Sequence, residues 1–426
     1  MKIQAQRGTE DVLPNQVEVW QYLESSYSKV ARTFGYSEIR TPVFEDVNLF
    51  TRTSGEFSDI VSKEMYDFKD KGDRHIALKP EGTAPVMRAT IEHNLAPLGN
   101  HTRLYYITPC YRYGRPQKGR LRELHQLGAE LIGSSSAEAD CEILEFAYAF
   151  LKEISLDGHP IMINSIGRSE CRLKYSEVIL NHLESYLKDV EDGVRLRIQK
   201  NPLGVLDTKD EVLQRAIEGV PSILNFLEDE SKQRFDTLQE LLVEAGIPFV
   251  VSPEIVRGLD YYTETVFEFV HPLLPGISAF AGGRYDNLIK QLGGSPTPSV
   301  GFGMGMERLI LALEANGRKA SLSSPQVFMV CASQSARSEC RKLIRNLRSE
   351  GIISGYDLDN RSLKSQMRQA DSSGAEFALI IGEDEIANKT VTVRNLRSGS
   401  QELVSRTKVV DSLVIPNGSS CEDNRP

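Results

Sequence analysis

Five cations crowd one stretch of this 426-residue chain. Arg112, Arg115, Lys118, Arg120 and Arg122 all lie within YRYGRPQKGRLRELHQLGAE, Tyr111–Glu130. Guanidinium forks match phosphate and carboxylate oxygens two at a time, and a lysine adds a compact point charge. On a hairpin loop, Arg112, Arg115, Lys118 and Arg120 suit a polyphosphate. The same spacing also suits a solvated surface loop, and the loop alone does not separate the two. Gln126 and Glu130 follow on a more apolar tail. Alternate residues of a strand share a face, so this amide and this carboxylate look into one pocket. A structural carboxylate paired with an arginine is the other reading of Glu130. Gly114 sits among the cations and raises the question of what it is for.

Two further segments bear on the same chemistry. In SVGFGMGMERL, Ser299–Leu309, the glycines Gly301, Gly303 and Gly305 let backbone approach a ligand, and Glu307 and Arg308 open a helix. By itself that segment also fits a small-residue packing strand. TPVFE, residues 41–45, reads alone as a strand end before a turn. GxxxxGK[ST] is absent, which excludes a Walker loop. His125 and Asp260 read as structural groups, and Tyr105, Tyr106 and Tyr111 as core aromatics rather than base-stacking platforms.

The elements that must position these residues follow from periodicity. Trp20, Leu23, Tyr27, Val30 and Phe34 recur at helical steps, predicting a helix over 14–34 closed by Gly35. YSEIRTPVFE predicts a strand entering a turn, and residues 76–89 a strand, a turn and a helix start. Segments 104–114 and 124–132 are β-rich and flank the charged loop, predicting an antiparallel hairpin. Ser136 caps a helix over 137–154. From about 166 to 245 the pattern turns to charged helices, an inserted module. β-rich sequence resumes and closes on the glycine-rich segment. KASLSSP, residues 319–325, reads as a linker. Beyond it, strands QVFMVCA, ISGYDLD, EFALIIG and TVTVRNL alternate with helices over 337–350 and 362–373, predicting a separate α/β unit with a largely parallel sheet. The expected domains are 1–320, with the insertion at about 166–245, and 326–420.

Bulk properties agree with a multidomain α/β protein that is not a membrane protein. No run of about 18 apolar residues predicts a span, and the N-terminus lacks the apolar core of a secretory signal. Six scattered cysteines without CxxC spacing predict neither a zinc site nor a disulfide framework, and fit a cytoplasmic location. A net charge of −9 does not point to a general polyanion binder but leaves room for a local basic surface.

TPVFE, the Tyr111–Glu130 stretch and SVGFGMGMERL, in that order, resemble the three signature motifs of class II aminoacyl-tRNA synthetases. RGTEDVLP (7–14), EGTAPVMRA (81–89), RGLDYYTETVFEF (257–269) and AGGRYDNLI (281–289) narrow the resemblance to the histidyl-tRNA synthetase family, of bacterial type, over nearly the whole chain. The resemblance implies a class II antiparallel-sheet catalytic domain with a helical insertion, followed by an α/β anticodon-binding domain. It implies activation of histidine with ATP and Mg²⁺, transfer to tRNA(His), a homodimer, and no metal held by the protein itself. Arg112 and Arg257 would act on the α-phosphate and carboxylate, Arg257 where related enzymes place a metal. Arg120 and Arg308 would hold the outer phosphates. Glu130 and Tyr262 would meet the two imidazole nitrogens, with Tyr261 and Tyr285 lining the pocket. Glu81, Thr83 and Gln126 would bind the α-ammonium group. In the C-terminal domain Arg361, Lys364, Arg368, Arg394 and Arg397 are candidates for contact with the RNA backbone.

The chain departs from that family at two positions, both concerned with adenine. Gly114 and Leu124 stand where the family usually has a glutamate and a phenylalanine. Adenine is then held by backbone groups and apolar packing. The alternative is a histidine-binding paralogue without efficient activation, like the regulatory subunit of ATP phosphoribosyltransferase. That subunit usually lacks the anticodon-binding domain, which this chain keeps.

Overall fold

The computed structural model describes residues 3–54, 60–117, 119–206, 208, 210–256, 259, 261–271, 278–317 and 326–413. The chain divides into two compact units, Met1–Ala320 and Ser321–Pro426.

The first unit is built on an eight-stranded sheet. In chain order its strands are β1 (Ser37–Glu38), β5 (Thr102–Tyr111), β6 (Glu123–Ile132), β7 (Ile161–Ser165), β8 (Phe249–Val251), β9 (Thr263–Val270), β10 (Ser278–Arg284) and β11 (Ser299–Gly305). They lie in the order β1-β5-β6-β11-β10-β9-β7-β8, with antiparallel pairing from β5 through to β7 and parallel pairing at both edges. The predicted hairpin is β5–β6, with Tyr106 opposite Gly128 and Thr108 opposite Gln126.

Alternation along the strands gives the sheet two unlike faces. Leu127, Ala129, Leu131, Val300, Phe302 and Met304 point to the back, into a core closed by the helices Val17–Thr33, Ala137–Glu153, Asp229–Glu244 and Met306–Ala315. Ser136 caps the second of these, accepting from Ala139 N–H at 3.4 Å. The front face carries Gln126, Gly128, Glu130, Gly301 and Gly303. It is the face on which a ligand would meet polar groups.

The 169–244 segment is helical, as the charge pattern predicts. Helices Ser169–His182, Glu184–Asp189, Asp192–Lys200 and Glu211–Ala216 enclose Ile179, Leu183, Ile198, Val205 and Leu213. Its last helix, Asp229–Glu244, instead buries Phe235, Leu238 and Leu242 in the core behind the main sheet. A small antiparallel sheet, β2 (Phe44–Asp46), β3 (Tyr66–Lys69) and β4 (His75–Leu78), has the order β2-β4-β3. TPVFE enters it.

The second unit has the strands β12 (Val327–Cys331), β13 (Ser354–Tyr356), β14 (Phe377–Ile381), β15 (Thr390–Asn395) and β16 (Gln401–Ser405), in the order β13-β12-β14-β15-β16. Here the expectation of a largely parallel sheet needs correction: β12 pairs in parallel with β13 and β14, but β14–β15 and β15–β16 are antiparallel. The reason is connection length. A parallel return needs a crossover of about a dozen residues, and between β14 and β15 there is only the six-residue helix Glu383–Asn388. Helix Arg337–Ser349 packs on one side of this sheet and Leu363–Ser372 on the other.

Candidate active site

The front face of β5, β6 and β11 gathers the polar residues singled out in the sequence. Glu130 is fully buried. Its Oε1 accepts from the Tyr106 hydroxyl at 3.1 Å and its Oε2 from the Tyr285 hydroxyl. Burial pushes its carboxyl from the ordinary 4.5 up to about 8, against the pull of the Tyr285, Thr83 and Tyr106 hydroxyls. Cross-strand partners make room for this group. Gly301 lies opposite Glu130, where an added Cβ would stand 1.8 Å from Glu130 Oε2. Gly128 plays the same part for Tyr106, whose ring Cζ would be 2.2 Å from a Cβ there. A side chain at either position would displace the carboxylate or the phenol.

Tyr261, Tyr262 and Tyr285, all buried, close the side of this pocket. Their ring centroids are 4.7 Å apart for Tyr261–Tyr262, 5.6 Å for Tyr261–Tyr285 and 6.3 Å for Tyr262–Tyr285. At its rim the strip 79–84 leaves β4 and enters helix Thr83–Glu92. Glu81 caps that helix, accepting from Thr83 N–H at 2.6 Å and Ala84 N–H at 2.8 Å. Burial raises the Glu81 carboxyl above its ordinary value although those two N–H groups oppose it. Gln126 Oε1 accepts from Gly82 N–H at 2.9 Å, and Thr83 Oγ1 lies 3.5 Å from the Tyr106 hydroxyl. One connected network thus joins Glu81, Thr83, Tyr106, Gln126, Glu130 and Tyr285.

The cations border this network. Arg112 donates from Nε to the Pro80 carbonyl at 2.8 Å. Arg308, at the start of helix Met306–Ala315, donates from Nε to Gly119 O at 3.2 Å and from Nη1 to Ser278 O at 2.8 Å. Burial, then the nearby charges of Arg112 and Arg120, hold Arg308 below its ordinary pKa. Two guanidiniums close enough to repel that of Arg308 favour an anion beside it. Arg120 pairs with Glu64. Lys118, Arg257 and Asp260 lie outside the described residues.

Beneath the pocket is a buried ion pair. Arg284 and Asp140 are fully buried, with Nη2–Oδ1 at 2.5 Å and Nε–Oδ1 at 2.9 Å. Arg284 also donates to Ser134 O, Ser136 O and Asp286, and Asp140 accepts from Thr265 Oγ1 at 2.8 Å. Burying both charges is tolerable because their hydrogen-bonding capacity is met. The pair fixes the residue next to Tyr285.

His125 points to the back of the sheet, as a structural histidine should. It meets the Trp20 ring edge-on at 4.8 Å and Glu307 Oε1 at 3.0 Å. Burial opposes its charge, but the Glu307 carboxylate outweighs burial and raises its pKa. With Trp20, Glu123 and Glu307 it lines a cavity of about 560 Å³ separate from the front-face network.

A family model described as histidyl-tRNA synthetase matches residues 8–309, and one described as an anticodon binding domain matches residues 326–414. The chain belongs to the histidyl-tRNA synthetase family. It is 41% identical over 418 residues to a histidine–tRNA ligase of Clostridioides difficile (strain 630), covering 97% of this chain and 99% of that one. It superposes on the crystal structure of apo S. aureus histidyl-tRNA synthetase with a TM-score of 0.81 and 34% identity, over 97% of this chain and 100% of that chain. A Bacillus halodurans C structure, titled an ATP phosphoribosyltransferase regulatory subunit/histidyl-tRNA synthetase, shares the fold at a TM-score of 0.64, with 23% identity over 89% of this chain and 98% of that chain.

Against the histidyl-tRNA synthetase pattern, the structure gives Gly114 a packing role. Gly114 is buried, and a Cβ there would stand 3.1 Å from Arg120 Nε and 3.4 Å from Glu64 Oε1. The glycine therefore lets the Glu64–Arg120 pair lie against the loop backbone. Sequence reasoning missed Glu64, which is 56 residues from Arg120. It also placed Tyr106 only in the core, without seeing that its hydroxyl serves Glu130. The available signal was Gly128, an unfilled position between Gln126 and Glu130 on the same face.

Proposed function

We propose that the chain is a histidine–tRNA ligase. It joins the histidine carboxylate to the α-phosphate of ATP, releases pyrophosphate, and passes the histidyl group to the 3′ end of tRNA(His), releasing AMP. The observation that carries this reading is the continuity of the front face: a buried carboxylate and phenols at one end, guanidiniums at the other, and the Glu81–Gln126 rim between.

The roles follow the chemistry. Glu130 accepts from one imidazole N–H while Tyr262 meets the other nitrogen, and Tyr261 and Tyr285 wall the ring. Each Glu130 oxygen already accepts from a phenol and keeps a lone pair for the ligand. Glu81, Thr83 and Gln126 receive the α-ammonium group. Arg112 and Arg257 act on the reacting carboxylate and α-phosphate, where charge accumulates in the transition state. Arg120 and Arg308 hold the outer phosphates. Among the described residues no cluster of three or more His, Cys, Asp or Glu suits a metal cage. Mg²⁺ would enter on the nucleotide phosphates, where it would supply charge neutralisation.

The regulatory paralogue is the weaker reading, because residues 326–414 match an anticodon binding domain. That unit offers two basic helices, one with Lys364 and Arg368 and one with Arg341, Lys342 and Arg345. Arg361 is partly neutralised by Asp359 at 2.8 Å and Asp357 at 3.7 Å. We assign the dimer contact to the small sheet, where Phe44 and Phe68 stand 58% and 48% exposed on one face. A cytoplasmic location agrees with the free thiols among the described cysteines, and no described helix is long and apolar enough to cross a membrane.

Charging of tRNA tests the division of labour. A fragment ending near residue 320, verified as folded and dimeric, is expected to activate histidine yet charge tRNA(His) poorly. Undiminished charging by that fragment would remove the RNA role from the second unit.

The adenine departure has its own test. If position 114 faces the adenine amino group, Gly114→Glu adds an acceptor worth about 1.5–3 kcal/mol at best. It lowers the KM for ATP several-fold, and the gain is lost with a purine lacking the amino group. If instead the packing against Arg120 and Glu64 decides, the new carboxylate competes with Glu64 for Arg120 and the KM for ATP rises. The close 3.1 Å approach makes the second outcome the expected one.

A further inference from the structure

We propose that Glu264 is a positioning residue through which the helical insertion sets the shape of the histidine pocket; the inference rests on the histidine reading above. Glu264 follows Tyr261, Tyr262 and Thr263 directly and has a φ of 53°, left-handed backbone in a residue other than glycine. The β9–β10 register slips at this point: Gly283 faces Val266, but Arg284 faces Thr263. Glu264 and Thr265 are thus taken up in a bulge. Without it the strand would carry the tyrosine pair about 6–7 Å further along β10, at about 3.3 Å per residue. The bulge is what sets Tyr261 and Tyr262 beside Tyr285.

The groups that hold the bulge come from the insertion. Glu264 N–H donates to Gly167 O at 2.9 Å, and Ile166 N–H donates to Glu264 O at 2.8 Å. The residue is 1% exposed, and its Oε1 accepts from Arg168 Nε at 3.0 Å and Ser231 Oγ at 2.9 Å. Among the described residues its Oε2 is buried without a hydrogen-bond partner. Arg168 is the residue before helix Ser169–His182, and Ser231 lies in the first turn of helix Asp229–Glu244. One carboxylate therefore ties both the first and the last helix of the insertion to the strand that presents the tyrosines. Arg168 also reaches Glu230 at 2.5 Å, which clamps the two helix ends together around Glu264. A shift of either helix is transmitted to the bulge, and through it to Tyr261 and Tyr262.

The test compares Glu264→Gly, Glu264→Gln and Arg168→Ala in the full chain, measuring kcat and KM for histidine and for ATP by ATP–pyrophosphate exchange. Glycine keeps the left-handed backbone and removes the side chain that bonds both helices. Arg168 has 43% of its side chain exposed, so its truncation opens little buried space. The expected result is a roughly tenfold rise in the KM for histidine in Glu264→Gly, with the KM for ATP nearly unchanged. Arg168→Ala shifts the same constant in the same direction. The Glu264→Gly/Arg168→Ala double variant is no worse than Glu264→Gly alone, and Glu264→Gln, which can still accept from Ser231, is milder. A wild-type KM for histidine in Glu264→Gly and Arg168→Ala, equal losses for both substrates, or additive effects would each overturn the proposal while leaving the ligase reading intact. A wild-type protein that exchanges with no dependence on histidine overturns both.

Discussion

Replacing Glu130 with alanine is expected to cut kcat/KM for histidine by roughly 10³-fold or more, while the KM for ATP stays almost unchanged. A site that hydrogen-bonds its ligand discriminates by up to about 10⁴–10⁵ when polar groups are left unpaired. Here the loss also strands the Tyr106 and Tyr285 hydroxyls, which both donate to this carboxylate. Equal losses for the two substrates would remove Glu130 from imidazole recognition. Glu130→Gln adds a stability test. The wild-type carboxyl rises from 4.5 to about 8 on folding, so between those values the folded state binds the extra proton. Its contribution is complete below the lower value and is lost as pH rises through about 8. The glutamine variant lacks this titration. Its melting temperature relative to wild type should therefore climb from pH 5 to about pH 8 and then level off, and a flat difference over that range would contradict the buried, ionisable carboxyl.

The second large effect is expected at Arg257. Arg257→Ala should slow histidyl-adenylate formation by about 10²–10³-fold, the usual cost of one preorganised group that stabilises transition-state charge. The KM for histidine should move far less. Rapid-quench measurement of the activation step separates this from slow product release. An unchanged activation rate would leave Arg112 and Arg308 to handle the developing charge without it.

Much of the site was legible because strands alternate. The even spacing of Gln126 and Glu130 on an apolar tail placed both on one face, while Gly301 and Gly303, read as giving backbone access to a ligand, turn out to leave room for Glu130 and Gln126 across the sheet. The basic stretch was legible as a loop because β-rich segments flank it. What stayed hidden was tertiary. Nothing local to Glu64 says that it pairs with Arg120, and nothing local to Glu264 says that it bonds Arg168 and Ser231 at opposite ends of an insertion. The β9 bulge depends on the register against β10, which periodicity within one strand does not encode. In the second unit TVTVRNL was read as a strand, but β16 is a mostly exposed edge strand with little apolar signal, so the antiparallel pairing of that half of the sheet went unread.

The central claim is that the front face activates histidine with ATP. Exchange of labelled pyrophosphate into ATP by the purified full chain, with and without histidine, tests it most directly. The account predicts exchange that requires histidine and is not supported by the other amino acids. Saturable histidine binding with no exchange at saturating ATP and Mg²⁺ would contradict it and identify the chain as the regulatory paralogue.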